Sequence, residues 1–250
     1  MDFVFGHLDS FNPDWVAIYS DSLMLKDAIE IAKYAKGKEK KVVFGGPHAT
    51  LRPESLTEFA DYVVKGEADV TLLEILDGKH EGNKIVQGER VSLDNLPLPA
   101  YDLLDMDKYI ELWHPLDSIN VNLRGTNMFT SRGCPYRCTF CQPVLDKIFG
   151  KGVRSRTVDN VITEIKYLIK NYDINAVWFN DDTFTIRKSW IRDFCKRIED
   201  ENINIIWGVN SRIDTTDAEQ LKMMHKAGLR TIHVGIETGS QRVADEIYRE

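Results

Sequence analysis

Three of the four cysteines in this chain lie in one short loop. Cys134, Cys138 and Cys141 have the spacing C-x3-C-x2-C. Cysteine thiolates are the usual protein ligands of iron–sulfur clusters. A cubane [4Fe-4S] cluster has one more iron than three thiolates can bind, so that iron stays open to a substrate or cofactor. The spacing therefore predicts a cluster with one open coordination site.

Other uses of this loop fit the sequence less well. Three neighbouring cysteines cannot all pair as disulfides, and a chain of this length with four cysteines is not a disulfide scaffold. Structural zinc needs a second ligand pair, which the nearest upstream histidine, His114, does not form. Cys195 lies in a helical, apolar context and is interpreted as a buried small hydrophobic residue. Zinc stays open as the alternative metal.

Charged residues follow three apolar segments that the sequence predicts as strands. Asp181 and Asp182 follow the first segment, Arg212 the second and Glu237 the third. Adjacent carboxylates repel each other unless a cationic group or an amine lies nearby, which favours a ligand site at the two aspartates. Alternatively, they cap the following loop and helix. Arg212 can hold a carboxylate with a bidentate fork or form a salt bridge within the fold, and both uses stay open.

A pair of glycines, Gly45 and Gly46, follows a predicted strand early in the chain. Glycines at such a position let the backbone approach a bulky ligand, and Ser20 or Ser22 after the preceding strand can add a hydroxyl contact. Alternatively, the two glycines only make a tight turn. The sequence assigns a catalytic role to no residue.

Alternating strands and helices must position these residues, and the predicted fold class is α/β. Residues 1–92 read as a Rossmann-like parallel sheet, in which ligands bind beyond the carboxyl ends of the strands. The predicted strands are 15–19, 41–46 and 61–66, and the predicted helices are 23–35, 54–59 and 70–76.

Residues 93–122 interrupt this alternation and are predicted to form a linker, because Pro97 and Pro99 prevent a regular helix there. The alternation returns in residues 123–250, with Thr216 as the expected cap of the last helix. The predicted strands are 127–131, 176–180, 203–209 and 231–236, and the predicted helices are 158–171, 189–201 and 217–227. Repeated β/α units predict a partial TIM-like barrel with its chemistry at the carboxyl ends of the strands.

Composition limits the classes of partner. The 250 residues carry a net charge of -7, which gives no electrostatic reason to expect a nucleic-acid partner. The sequence contains no apolar stretch of about 18 residues, so no transmembrane segment is predicted, and its first residues lack the pattern of a signal peptide. We therefore expect a cytoplasmic protein, in a reducing compartment that keeps thiolates available for iron.

The cysteine loop, with the aromatic residue Phe140 directly before its last cysteine, resembles the cluster loop of radical S-adenosylmethionine (SAM) enzymes. In that family the amino and carboxylate groups of SAM chelate the open iron. An electron from the cluster then cleaves the sulfonium to give a 5′-deoxyadenosyl radical. The resemblance implies Cys134, Cys138 and Cys141 as metal ligands and Phe140 as a contact of the adenine, chiefly through its backbone.

The strand-end motifs are also similar to those of this family. The D-D-x-F of segment 181–184 is similar to the subgroup that carries a cobalamin-binding domain, although it departs from the family's frequent Gly-Gly-Glu. The segment 235–240 resembles the family's G-I-E-S-G-S, with Thr238 in place of serine. The resemblance implies a SAM site lined by Phe140, Asp181, Asp182, Arg212 and Glu237.

Residues 1–92 resemble the cobalamin (B12)-binding domain that precedes the radical SAM domain in the subgroup of the anaerobic Mg-protoporphyrin monomethyl ester cyclase. The similar segments are 12–18, 45–50 and 66–69. The resemblance implies cobalamin contacts at Ser20, Gly45 and Gly46. The family's D-x-H-x-x-G, which supplies a histidine to cobalt, does not occur in the sequence, and His7 does not replace it. Two alternatives therefore stay open: the domain binds cobalamin without an axial histidine, or it does not bind cobalamin.

The resemblance implies an enzyme that reductively cleaves SAM and starts radical chemistry at an unactivated carbon, by methyl transfer or cyclisation. It further implies a small-molecule, lipid or tetrapyrrole-like substrate and an external electron donor of the flavodoxin or ferredoxin type. The family's barrel has about six β/α units and residues 123–250 provide four, so we expect a chain truncated at both ends. The alternatives are a radical SAM enzyme that does not bind cobalamin and a truncated, inactive metal-binding relative.

Overall fold

The computed structural model describes residues 1–141 and 144–247. The chain forms two compact units. The first comprises Met1–Val91 and Cys141–Lys151, and the second comprises Ser92–Phe140 and Gly152–Glu250. Each unit contains a four-stranded parallel sheet with helices, and the second also has a short antiparallel pair. The predicted α/β fold class is confirmed.

The predicted strands correspond to strands of the structure, except that the one expected at 127–131 is divided into two. The strands are β1 (Trp15–Tyr19), β2 (Lys41–Gly45), β3 (Tyr62–Lys65), β4 (Ile85–Gln87), β5 (Gly125–Met128), β6 (Ser131–Arg132), β7 (Arg154–Ser155), β8 (Ala176–Phe179), β9 (Ile206–Ser211) and β10 (Leu229–Val234). The helices are α1 (Asp2–Phe11), α2 (Leu25–Gly37), α3 (Pro47–Leu51), α4 (Thr71–Leu76), α5 (Met106–Glu111), α6 (Val144–Ile148), α7 (Val158–Tyr172), α8 (Lys188–Asp200), α9 (Ala218–Lys226) and α10 (Gln241–Ile247).

The sheet of the first unit has the order β1-β2-β3-β4, with every pair parallel. Helix α2 packs on it through Ala28, Ala32 and Ala35, which recur at helical spacing and are buried. Small side chains at these positions let the helix lie close to Val16 and Phe44 of the sheet, which belong to the same buried cluster. The carboxyl ends of β1 and β2 are thereby held at one edge.

The helix predicted at 54–59 is wrong. The structure places α3 earlier, starting at Pro47, and follows it with a single 3-10 turn, Pro53–Leu56. Proline suits the first turn of a helix, since the amide hydrogen that it lacks has no helical partner there. Pro53 ends α3 because proline disfavours helical backbone in the residue before it.

The sheet of the second unit has the order β10-β9-β8-β5, again with every pair parallel. The helices α7, α8 and α9 each lead from one strand to the next, as in a TIM-like barrel. The core between helices and sheet is aromatic: the rings of Phe179, Phe194 and Trp207 meet edge to face, with centroids 5.6 to 5.8 Å apart. This rigid layer fixes the carboxyl ends of the strands.

Residues 93–122, expected to form a linker, pack within the second unit. Their helix α5 buries Met106 and Ile110 in the main core, and Trp113 is buried against Trp178 on the opposite face of the sheet. Pro97 lies before α5, so the prolines do not prevent the later residues from forming a helix. The apolar residues of this segment therefore cover the sheet.

The cap expected for α9 is one residue off. Asp217, not Thr216, caps this helix, because the Asp217 carboxylate accepts a hydrogen bond from the backbone N–H of Gln220 at 2.8 Å. The hydroxyl of Thr216 is buried without a hydrogen-bond partner. An ionised carboxylate is the stronger acceptor and also suits the positive end of the helix dipole.

Cys195 is fully buried in α8, which confirms that it is a core residue. Burial raises the pKa of its thiol to about 12, so the thiolate is disfavoured. Across the residues that the structure describes, no helix combines the length and apolar character needed to cross a membrane.

Replacing Gly208 by alanine should lower the free energy of unfolding by about 1–3 kcal/mol, the usual cost of overpacking a core. A methyl group at this position would overlap the ring of Trp178, so the ring or the strand has to shift. Urea denaturation followed by circular dichroism measures the loss. Gly239 is the control, because nothing lies within 4 Å of a methyl group placed there. Equal losses in both variants would contradict the tight packing at Gly208.

Candidate functional site

Asp181, just after β8, is a buried carboxylate with protein donors on both oxygens. Its Oδ2 accepts from the backbone N–H of Thr130 at 3.0 Å, and its Oδ1 accepts from the Thr130 hydroxyl at 2.7 Å and from the Ser131 hydroxyl. Arg187 also donates to Oδ1, from Nη2 at 3.1 Å. The side chain of Asp181 has 0% exposure. Asp181 therefore connects two parts of the unit. One is the end of β8, and the other is the segment between β5 and the cysteines.

Arg187 supplies the positive charge beside Asp181. Its guanidinium lies 4.5 Å from the ring centroid of Trp190 and 5.6 Å from that of Phe184, and it donates to the Thr130 hydroxyl at 2.6 Å. Burial lowers the pKa of Arg187, and the charge of Asp181 opposes this shift. Adjacent aspartates were expected to need a cationic group nearby. For Asp181 that group is Arg187, a residue of the protein.

Asp182 has a different environment from its neighbour. Its side chain reaches the surface. Desolvation by the surrounding protein nevertheless raises the pKa of Asp182, and the charge of Asp181 raises it further. Thr183, which is buried, places its hydroxyl 3.7 Å from the Sγ of Cys134. The end of β8 therefore presents Asp182 outward and Thr183 to the first cysteine of the loop.

Buried hydroxyl groups join the end of β8 to the end of β9. Thr185, Ser211 and Thr215 are all buried and hydrogen bonded to one another. The side-chain amide of Gln220 donates to the backbone oxygen of Thr185 at 3.1 Å. These bonds fix the turn that directly follows Arg212.

Arg212 lies just after β9 and contacts side chains of its own turn and of the cysteine loop. Its Nε and Nη2 donate to the two carboxylate oxygens of Asp214 at 2.9 and 2.5 Å. Its Nη1 donates to the Sγ of Cys138 at 2.9 Å, and the ring centroid of Tyr136 lies 3.9 Å from the guanidinium carbon. The hydrogen bond to Asp214 raises the pKa of Arg212. Of the two uses left open by the sequence, this structure contains the salt bridge.

The three cysteines of the loop are thiols and form no disulfide. Cys134 and Cys138 are partly buried, and Cys141 is exposed. Among the described residues, no group of three His, Cys, Asp or Glu side chains is preassembled for a metal ion. Metal binding commonly brings its own ligands together. Three closely spaced cysteine thiols are the donor set of an iron–sulfur cluster, so the chemistry of the loop fits that group.

Phe140 and Glu237 both lie at the surface. Phe140 is 49% exposed. Glu237 follows β10 and has a φ of 59°, in the left-handed region that few residues other than glycine adopt. A Cβ at Gly235 would overlap the carboxylate at the end of the flexible Glu237 side chain, so the two residues lie close together. Backbone strain of this kind concentrates at functional positions.

The two glycines after β2 have different surroundings. Gly46 has a φ of 96°, and a Cβ there would lie 2.8 Å from the backbone oxygen of Ser20 and 2.9 Å from the Tyr19 ring. At Gly45 nothing lies within 4 Å of such an atom. Ser20 is fully buried, and its hydroxyl donates to the backbone oxygen of Gly45 at 3.1 Å. Gly46 therefore makes the tight turn, Gly45 leaves open space, and the Ser20 side chain joins two strand ends.

Two histidines of the first unit are held by neighbouring side chains. The Nδ1 of His48 lies 2.9 Å from the Ser22 hydroxyl, and its Nε2 lies 3.1 Å from the Ser55 hydroxyl. The Nε2 of His80 lies 3.0 Å from the carboxylate of Glu74. Both ring nitrogens of His48 are thus engaged within the protein.

Sequence reasoning found the charged residues at the strand ends but missed their partners. The missed residues are Thr130, Ser131, Tyr136, Thr183, Arg187 and Asp214. Their nearness in sequence to a predicted site residue was an available signal for each, since none lies more than about six positions away. Nothing in the pattern indicated which of them would contact a site residue.

Two protein families match successive parts of the chain. The radical SAM superfamily matches residues 128–250, and the B12 binding domain matches residues 3–76. The first match includes the cysteine loop and β8 to β10. The second includes β1 to β3 and the glycine pair.

Similar proteins cover nearly all of this chain. An uncharacterized methyltransferase of Pyrococcus horikoshii is 35% identical over 263 residues, covering 96% of this chain and 55% of the relative. The anaerobic magnesium-protoporphyrin IX monomethyl ester cyclase of Rubrivivax gelatinosus is 26% identical, covering 94% and 44%. The chain therefore spans about half the length of the curated relatives it matches.

The fold is shared with a solved structure. TsrM of Kitasatospora setae, a radical S-adenosylmethionine methyltransferase solved with tryptophan substrate and a SAM analog, superposes with a TM-score of 0.74 at 17% identity. The match covers 96% of this chain and 52% of TsrM. TsrM with cobalamin and a [4Fe-4S] cluster bound gives a TM-score of 0.67 over 92% of this chain and 51% of TsrM, also at 17% identity.

Replacing Asp181 by alanine should lower the free energy of unfolding by about 3–5 kcal/mol, because Arg187 would stay buried without its anion. Urea denaturation measures this. Asp200→Ala is the control, since Asp200 pairs with Lys196 on the surface at 2.8 Å and exposed pairs contribute about 0–1 kcal/mol. A loss for Asp181→Ala no larger than that of the control would contradict the structural role of Asp181.

Proposed function

This chain belongs to the radical SAM superfamily and carries a B12-binding domain ahead of its radical SAM domain, and we propose that it reductively cleaves SAM at a [4Fe-4S] cluster. The observation that carries this proposal is the C-x3-C-x2-C spacing of Cys134, Cys138 and Cys141 within the matched radical SAM domain. The three thiolates would hold the cluster, and the open iron would bind SAM. When bound, the cluster supplies the electron that cleaves the sulfonium.

The residues at the strand ends would then position the cluster and the cofactor. Asp181, which is enclosed by protein donors, would shape the site by holding the chain that enters the loop. Asp182 and Glu237, which reach the surface, would face the polar groups of SAM. Phe140 would contact the adenine through its backbone. Together these residues would orient SAM at the carboxyl ends of the strands, where barrel enzymes place their chemistry.

For the overall reaction we propose methyl transfer to, or cyclisation at, an unactivated carbon of a small-molecule, lipid or tetrapyrrole-like substrate. Relatives named as methyltransferases and as a cyclase support this range. An external donor of the flavodoxin or ferredoxin type would reduce the cluster.

The B12-binding domain would bind cobalamin without an axial histidine from the protein. His48 follows the glycine pair, but both of its ring nitrogens are hydrogen bonded to serines. The open space at Gly45 would admit the ligand. A radical SAM enzyme that does not use cobalamin is the competing interpretation, because the sequence lacks the D-x-H-x-x-G motif.

Anaerobic reconstitution with iron and sulfide should give about four irons per chain in the wild type, as a [4Fe-4S] cluster requires. Cys138→Ala should lose most of this iron and should form at least tenfold less 5′-deoxyadenosine from SAM under reducing conditions. Cys195→Ala is the matched control and should keep both, because Cys195 is buried in α8. Fewer than about three irons in the wild type, or zinc retained in preference, would refute the cluster. Equal 5′-deoxyadenosine from wild type and Cys138→Ala would refute the cleavage.

Hydroxocobalamin should elute with the wild-type protein in gel filtration, and Gly45→Leu should weaken this binding at least tenfold by filling the open space. Gly37→Leu is the control, since a Cβ at Gly37 also meets nothing within 4 Å but lies at the end of α2. Cobalamin that elutes entirely apart from the wild type would favour the interpretation without cobalamin. Equal binding by both variants would remove Gly45 from the site.

A further inference from the structure

We infer that Arg212 is a positioning residue for the cluster ligand Cys138 and raises the reduction potential of the cluster, and that it does not bind the carboxylate of SAM. This inference rests on the proposed function, because it assigns Cys138 to the [4Fe-4S] cluster. Neither the cysteine spacing nor the strand-end motifs predict that Arg212 positions a cluster ligand.

The first support is how the guanidinium is already used. A bidentate grip on a carboxylate takes two parallel N–H donors of arginine. In Arg212 the pair formed by Nε and Nη2 holds both oxygens of Asp214, at 2.9 and 2.5 Å. Asp214 lies two residues further along the chain, in a turn that the hydroxyl groups of Ser211 and Thr215 fix from inside. The fork formed by Nε and Nη2 of Arg212 is therefore filled by its own turn, and Nη1, which the second, end-on fork needs, already donates to Cys138.

The second support is the direction of the remaining nitrogen. Nη1 of Arg212 donates to the Sγ of Cys138 at 2.9 Å, across 74 residues of sequence. The flat face of the same guanidinium lies over the ring of Tyr136, with 3.9 Å from its carbon to the ring centroid. Tyr136 lies between the first two cysteines of the loop. Arg212 thus touches the loop at the ring of Tyr136 and at the sulfur of Cys138.

The third support is charge. Burial leaves the Arg212 side chain 16% exposed, whereas the Asp214 side chain is 54% exposed. Water therefore screens the carboxylate more than the guanidinium, and Asp214 only partly offsets the positive charge beside Cys138. Reduction of a cluster adds negative charge, which a nearby cation and an N–H donor to a ligand sulfur both stabilise. Arg212 should therefore make the cluster easier to reduce.

The test is a redox titration of the reconstituted protein without SAM, followed by electron paramagnetic resonance of the reduced cluster. In Arg212→Met the ratio of reduced to oxidised cluster should fall at least tenfold at any fixed potential, which is a midpoint lower by 59 mV for one electron. Arg212→Lys should shift the same way by less, because an ammonium cannot hold Asp214 with a planar fork and also reach Cys138. Arg192→Met is the control, since it removes an exposed arginine of α8.

Binding of SAM to the same reconstituted variants separates the two roles of Arg212. The SAM dissociation constant of Arg212→Met should stay within about threefold of the wild type, whereas loss of a charged hydrogen-bond partner of the carboxylate would weaken binding more than tenfold. An unchanged midpoint together with a large loss of SAM affinity would overturn the inference. So would a midpoint equal to that of Arg192→Met.

Failure of the inference and failure of the proposed function give different results. If the wild type assembles no cluster, the proposed function fails before any variant is compared. If the wild type assembles a cluster and Arg212→Met titrates like the control, only the inference fails. If Arg212→Met does not retain a cluster, Arg212→Lys decides: a lowered midpoint supports the inference, and a wild-type midpoint overturns it.

Discussion

The buried carboxylate of Asp181 is the constraint on which the site depends. A charge removed from water is tolerated only when it is paired and hydrogen bonded. Asp181 meets this condition through the backbone and hydroxyl of Thr130, the hydroxyl of Ser131 and the guanidinium of Arg187. Those partners lie at the entrance to the cysteine loop and before α8. Satisfying one carboxylate therefore fixes where the loop begins relative to the end of β8.

The strands and the cysteine loop could be predicted because their signals are local. Apolar runs mark β1, β2, β3 and β8 to β10, and cysteine spacing marks the loop. The partners in the site could not be predicted, because they are brought together by the fold. Thr130 and Asp181 are 51 residues apart, and Cys138 and Arg212 are 74 apart. A pattern of residue types does not encode such pairings.

In neither of the two misread segments does the prediction use the position of a proline within the element. The linker predicted at 93–122 treats its prolines as preventing a helix, and the helix predicted at 54–59 does not consider Pro47. Pro47 begins α3, where a missing amide hydrogen has no cost, while Pro97 precedes α5 and leaves it intact. Burial then decides the rest: Ile110 and Trp113 are removed from water by the sheet, so the expected linker becomes part of the core.

The two adjacent aspartates resolve their repulsion by taking separate environments. Asp181 turns inward and is paired with Arg187. Asp182 turns to the surface and is still repelled by the charge of Asp181. Desolvation and the charge of Asp181 both raise the pKa of Asp182, so its ionised form is destabilised at this strand end. A cationic amine placed beside Asp182 would relieve that state. The inward aspartate thus builds the scaffold, and the ionised form of the outward one would be stabilised by a positively charged ligand.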